Sequence, residues 1–220
     1  MNVLVIAAHC DDETLGVGGT MARMAKQGHH VYVANISNRS ENHQLEISRV
    51  FELRRSLESA CDLLGVKEIF YGDLIDEHLD HSLVEVIKPI EKATEKYNPD
   101  IVFTHNYDVN QDHRAIFEAS LVAYRTLWEN AVKRVLFYEV LSSTEQVPPR
   151  LEWAFVPDVF VNITDFVELK VQAMEKYPTE MDEFPYPRSA EGIRTLAKYR
   201  GMAVNLHFAE AFMLKREIWR

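Results

Sequence analysis

The stretch that most constrains this chain is Val3-Leu4-Val5-Ile6-Ala7-Ala8, an apolar run that ends abruptly in His9-Cys10-Asp11-Asp12-Glu13. Small and branched apolar residues without polar alternation suit a strand buried on both faces, as in a parallel sheet. The polar cluster then falls at the strand's C-terminal end, the edge at which open α/β sheets bind ligands. Thr14 to Ala25 follows as a helix, and its early glycines let it pack closely on the strand. The acids therefore occupy a strand-to-helix turn.

Two readings compete for that turn. Asp11 and Asp12 suit a helix N-cap and first turn, where free N–H groups and the helix dipole favour acids. Capping needs one acid, however, and gains nothing from a histidine beside it. The other reading is a metal site: His9 and Asp12, three apart across a tight turn, can converge on one ion and leave Asp11 for proton chemistry. A catalytic zinc needs a third protein ligand, which must come from elsewhere in the chain.

Composition bounds the search. The 220 residues are 47% hydrophobic and no Gly/Ser-rich linker divides them, so one domain spanning 1–220 is expected. A net charge of -10 argues against nucleic acid or anionic membrane as the main partner. No apolar run approaches the roughly 20 residues of a membrane span, and an N-terminus leading straight into a core strand leaves no room for a signal peptide. The expectation is a cytoplasmic protein. Cys10 and Cys61 form no CxxC and no disulfide framework.

Strand and helix alternate along the chain. Val31–Ile36 suits a second strand, and Val50, Leu53, Leu57, Ala60 and Leu64 mark one face of a long helix closed by Gly65. Lys67–Tyr71 suits a short third strand, and the acidic segment from Gly72 to Asp80 a loop at the same sheet edge as the first cluster. A helix over about His81–Tyr97 should be kinked or split by Pro89. Ile101–Thr104 is a fourth strand, and it ends as the first does, in His105-Asn106-Tyr107-Asp108-Val109-Asn110-Gln111-Asp112-His113-Arg114. This second cluster, on the same side of the sheet, is the source of the missing ligand. Beyond Val135–Val140, Pro148-Pro149 marks a break, Val159–Ile163 a strand, and Thr164-Asp165 the cap of a further helix. These elements suggest a small C-terminal cap on a mostly parallel sheet with helices on both faces. The proline-rich stretch between Tyr177 and Arg188 suits a lid or a subunit contact, which leaves a homo-oligomer open.

Other motifs fail on the same residues. Asp108, Asn110 and Asp112 begin like an EF-hand loop, but the required glycine is His113 and the terminal glutamate is Ala119. Gly16, Gly18 and Gly19 do not make G-x-G-x-x-G, and a pyrophosphate would meet acids there. His29, His30, His43, His78, His81 and His207 lack ligand-like neighbours in sequence.

His9-Cys10-Asp11-Asp12-Glu13 resembles the H-P-D-D-E signature of the LmbE-like, PIG-L-like family of zinc-dependent N-deacetylases, and Asn110-Gln111-Asp112-His113-Arg114 resembles its second motif. The tail from Tyr199 to Phe212 is similar to the family's sugar-modifying branch. The resemblance implies zinc held by His9, Asp12 and His113, with iron or another divalent ion as an alternative, and Asp11 as general base. Asp112 is then either an acid orienting a neighbouring group or the N-cap of the helix near His113. Cys10 stands where proline is usual and Asn110 where relatives in thiol biosynthesis carry a histidine. The general acid is therefore open among His105, Asp112 and a returning Asp11, since asparagine cannot protonate an amine at neutral pH. An N-acetylated amino sugar is the implied small-molecule substrate, with Arg54, Arg55, Arg114, Asn110, Asp73 and Asp76 as residues for its hydroxyl or anionic groups. Hydrolysis of another small amide conjugate, or a catalytically weak metal-dependent sugar-binding role, are the alternatives.

Overall fold

A computed structural model describes residues 1–38, 47–127, 131–148 and 150–219, with the backbone alone at 47–50; His43, Pro149 and the side chain of Val50 lie outside the described residues. The chain runs β1 (Asn2–Ala7), α1 (Asp12–Lys26), β2 (His30–Asn38), α2 (Ile47–Leu64), β3 (Glu68–Ile75), α3 (Leu83–Tyr97), β4 (Ile101–His105), α4 (Gln111–Ala123), β5 (Arg134–Tyr138), β6 (Val159–Asn162), α5 (Val167–Met174), α6 (Ala190–Met202) and β7 (Ala209–Glu217). One seven-stranded sheet holds the strands in the order β3-β2-β1-β4-β5-β7-β6. The first five are parallel, with Val3 of β1 between Val31 of β2 and Ile101 of β4. β7 runs antiparallel between β5 and β6.

The apolar run of β1 is uninterrupted because both of its faces are covered. Val3 and Val5 pack with α1, α2 and α5, while Leu4, Ile6 and Ala8 pack with α3 and α4 on the opposite side. All of these β1 side chains are fully buried. This is the doubly covered α/β sheet expected from the sequence, and it brings the ends of β1, β3 and β4 to one edge. Gly16 of α1 allows the ring of Tyr138, at the end of β5, to lie against the helix: a Cβ there would sit 2.2 Å from Tyr138 Cδ2.

Several local expectations are revised. β3 continues to Ile75, where a loop from Gly72 was expected, because its pairing with β2 resumes past an irregularity as Ser37–Leu74 and Asn38–Ile75. Gly72 permits this, since a Cβ would come within 2.7 Å of the Ile36 carbonyl oxygen. α3 stays one helix across Pro89, whose ring is buried on the apolar face. The helix expected from Thr164-Asp165 begins at Val167. The C-terminal cap takes the form of a sheet extension, with β6 and β7 joined to β5 rather than standing apart. β7 and α6 had left no mark in the periodicity.

Candidate metal centre

His9 leaves the end of β1, and Asp12 opens α1 after a single sharp turn at Asp11, whose φ of 113° is one that L side chains rarely adopt. That backbone is pinned on both sides: the Asp11 N–H donates to Glu13 Oε2 at 3.1 Å, and its carbonyl accepts from Thr14 and Leu15 N–H at 3.0 and 2.9 Å. His105 ends β4, and His113 lies in the first turn of α4. Asn110 caps α4, its Oδ1 accepting from the N–H groups of Asp112 and His113 at 2.8 and 3.3 Å. The capping role weighed for Asp112 therefore belongs to Asn110, and the oxygen of Asn110 is engaged in the helix rather than turned to a ligand.

Asp12 Oδ2 is the meeting point. It accepts the His9 N–H at 2.8 Å and lies 3.3 Å from His9 Nδ1, 3.3 Å from His113 Nε2 and 3.4 Å from His105 Nε2. His9, Asp12 and His113 each offer a donor atom within 4.8 Å of the others, and all three are buried. The other ring nitrogen of each of these histidines meets carboxylate: His9 Nε2 lies 2.9 Å from Asp76 Oδ1 and 3.1 Å from Asp112 Oδ2, and His113 Nδ1 lies 2.8 Å from Asp108 Oδ2. Those carboxylates are themselves fixed, Asp112 by the N–H groups of Glu77 and Leu79 at 2.7 and 3.2 Å, Asp108 by the Asn110 N–H at 2.8 Å. An imidazole whose second nitrogen is held by a carboxylate is the arrangement that orients metal-ligating histidines. The donor set of two nitrogens and one oxygen therefore fits a divalent ion such as zinc.

The electrostatics agree. Burial would raise the Asp12 carboxyl, but His113 and His105 beside it hold it well below the usual carboxylate range. Burial would lower His9 and His113, yet their carboxylates prevail: Asp112, Asp12 and Asp76 hold His9 well above its ordinary value, and Asp12 and Asp108 carry His113 up to about 9. His105 goes the other way. Burial and the neighbouring His113 push it down to about 4. Its Nε2 accepts the Ala8 N–H at 3.0 Å, and its ring lies 4.1 Å from His113 and 4.6 Å from Tyr138. His105 is thus fully buried, with its Nε2 engaged by the Ala8 N–H and its ring packed on His113 and Tyr138.

Around this centre the remaining residues sort by position. Arg54 lines a small cleft with His9, Cys10, Asn35 and Ser37, and pairs with Asp73 at its rim. Arg55, one residue on, is exposed, and Arg114 donates to the carbonyls of Asp108 and Val109 at 3.2 and 2.5 Å. Cys10 and Cys61 are buried, and neither is in a disulfide. Asp76, weighed only for sugar hydroxyls, and Asp108, weighed only for calcium, prove to be the carboxylates behind the ligands. Arg188 was not foreseen at all: its Nη1 lies 2.8 Å from Asp11 Oδ2. It follows a proline-rich stretch 177 residues from its partner, and no spacing rule links the two.

Residues 4–124 match the PIG-L family, described as GlcNAc-PI de-N-acetylase. The chain belongs to this family. PIG-L membership accounts for both motifs, which lie inside the matched span, and makes the chain an amidohydrolase of the deacetylase kind. YaiS of Escherichia coli (strain K12), an uncharacterized deacetylase, is 30% identical over 183 residues, covering 80% of this chain and 89% of YaiS. A diacetylchitobiose deacetylase of Thermococcus kodakarensis is 27% identical over 234 residues, covering 94% of this chain and 80% of that protein. The structure of N,N'-diacetylchitobiose deacetylase from Pyrococcus horikoshii, bound to an inhibitor, has the same fold, with a TM-score of 0.76 at 24% identity over 97% of this chain and 83% of that one. Among the described residues no helix is long and apolar enough to cross a membrane.

Proposed function

We propose that the protein is a zinc-dependent N-deacetylase that removes acetate from an N-acetylated amino sugar, with His9, Asp12 and His113 as metal ligands and Asp11 as general base. The observation that carries this reading is the pair of carboxylate-backed histidines flanking Asp12, with Asp11 next in the chain and outside that donor set. A divalent ion held by these donors lowers the pKa of a bound water from 15.7 toward about 7 and polarises the amide carbonyl. Asp11 takes the proton from the attacking water as the C–O bond forms, then delivers it to the amide nitrogen as the C–N bond breaks. Acetate and the free amine are the products. Both transfers are assigned to Asp11 because Nε2 of His105 is engaged by the Ala8 N–H and Asp112 by His9, Glu77 and Leu79.

The sugar follows from the relatives. A protein sharing 27% identity over 94% of this chain acts on diacetylchitobiose, whose acetamides sit on amino-sugar rings. The Arg54–Asp73 pair at the rim of the cleft supplies a cation and an anion for ring hydroxyls, in keeping with that substrate class. Zinc suits the mixed nitrogen and oxygen donors, and iron would occupy the same set. We also read residues 1–220 as one domain, which the single sheet running from Asn2 to Glu217 supports. The test is acetate release from a panel of N-acetylated sugars by the zinc-loaded wild type and Asp11→Asn. Turnover on at least one sugar, lost by a factor of about 100 or more in the variant with its metal retained, is expected for a general base. Full metal with no acetate from any sugar would point to another amide or to a binding role.

A further inference from the structure

The candidate ligands and the base lie within residues 4–124, yet the contacts that hold the base in place come from beyond that span. Asp11 stands between Asp12 and Glu13 on a backbone turn of φ 113°, where three adjacent acids repel one another. Two restraints act on it from the segment that follows α5. Arg188 Nη1 donates to Asp11 Oδ2 at 2.8 Å, and the same guanidinium is fixed by Nε donating to Ser142 Oγ at 2.7 Å and by Glu180 Oε2 3.3 Å from Nη1. Tyr177 OH donates to Glu13 Oε1 at 2.6 Å, and Glu13 Oε2 receives the Asp11 N–H. Arg188 is shielded, with 13% of its side chain exposed, and Asp11 is 1% exposed, so the pair is not a solvated surface contact.

We propose that Arg188 is a positioning residue for the deacetylation step: it fixes the rotamer of Asp11 so that one carboxylate oxygen stays on Arg188 and the other is presented to the water. Asp11 has a short side chain with two torsions, and its backbone is already set by the turn and by Glu13. The charged hydrogen bond from Arg188 to Oδ2 therefore acts directly on where Oδ1 points. The planar guanidinium suits this task because Ser142 and Glu180 orient it in advance, through Nε and Nη1, before it meets Asp11. In this arrangement the stretch expected as a lid or subunit contact is part of the catalytic framework, and Arg188 acts through Asp11 without touching substrate.

This inference rests on Asp11 being the general base, and the experiment separates the two. Arg188→Met, Arg188→Lys, Asp11→Asn and, as a control ion pair on the neighbouring helix, Arg194→Met are compared for kcat, KM and metal content on one N-acetylated sugar. A reacting group displaced by about 1 Å loses about 100-fold. Arg188→Met is expected to lose kcat by about that factor, with KM and metal content within about twofold of wild type. Arg188→Lys should recover at least about tenfold over Arg188→Met, because a cation alone restores part of the hold on Oδ2. Added ethylguanidinium should likewise raise kcat of Arg188→Met, a rescue that repair of general packing would not give. Arg194→Met should match wild type. A raised KM with unchanged kcat in Arg188→Met would make Arg188 a substrate ligand and overturn the proposal, as would unchanged kcat and KM. If Arg188→Met fails to fold, the uncharged Arg188→Gln takes its place, and Arg188→Gln with the kcat and KM of wild type would overturn the proposal equally. Retained turnover in Asp11→Asn would overturn the assigned base itself, whatever the Arg188 variants do.

Discussion

Metal binding to this protein should be steeply pH-dependent, and the size of the effect follows from the ligands' surroundings. In the metal-free protein Asp12 and Asp108 overcome the burial of His113 and carry it up to about 9, and Asp112, Asp12 and Asp76 hold His9 well above its ordinary value. The His113 ring therefore carries two protons at neutral pH, while a metal ligand must be the neutral imidazole. At pH 7, about two units below the His113 value, expelling that proton costs about 2.7 kcal/mol, or about a hundredfold in apparent affinity. The released His113 proton weakens binding about tenfold for every unit that the pH falls. Competition for zinc against a chromophoric chelator at pH 6, 7 and 8 measures this directly. Calorimetry in buffers of different ionisation enthalpy counts the protons. The linked stability effect has a definite sign: a folded pKa above the unfolded value of about 6.5 gives stability that is complete below pH 6.5 and lost as the pH rises through about 9. Thermal unfolding of the metal-free protein should accordingly show Tm falling over that window. A zinc affinity that is constant from pH 6 to 8 would refute the assignment of His113 as a charged, carboxylate-paired group awaiting a metal.

Asp108→Asn removes the charge behind His113 Nδ1 and should weaken zinc about 10- to 100-fold in the same chelator assay while the fold is kept. Gly16→Ala drives a methyl into the Tyr138 ring and should cost about 1–3 kcal/mol, read as a drop in Tm of about 2–4 °C for each kcal/mol. Lys170→Met strips the buried Glu210 of its cation, leaving it only the N–H groups of Gly19 and Thr20. The expected loss is about 3–5 kcal/mol in denaturant unfolding, with much of it recovered when Glu210→Gln is added.

How much of this was legible in the sequence varies with the kind of signal. The parallel sheet and the edge at which the site forms follow from β1 and β4, each an apolar run that stops at a histidine, because a strand covered on both faces cannot hide any other pattern. His9 and Asp12 were legible as a pair for the same reason, at the end of β1, whereas His113, in the first turn of α4, was singled out within the second cluster by the resemblance of its motif. Asp76 and Asp108 were visible as residues but not in their roles, since the contact of Asp76 with His9 depends on how far β3 extends before it turns. That distance was set by pairing with β2 and by Gly72, neither of which has a periodic signature. Arg188 and Tyr177 lay beyond reach altogether, because a contact across more than 160 residues is made by the packing of α5 against α1 and α2 rather than by any motif. β7 was missed for a related reason. Its residues Ala209 to Glu217 alternate weakly because the strand is buried over its first four residues and only partly covered afterwards.

The account stands on one ion held by His9, Asp12 and His113 and used for deacetylation. The most direct test is metal content by mass spectrometry on purified wild type and His113→Ala, with acetate release measured on the same samples. One divalent ion per chain in the wild type, lost together with acetate release in the variant, is the expected result. Metal retained at full stoichiometry in His113→Ala, or acetate release undiminished without metal, would contradict it.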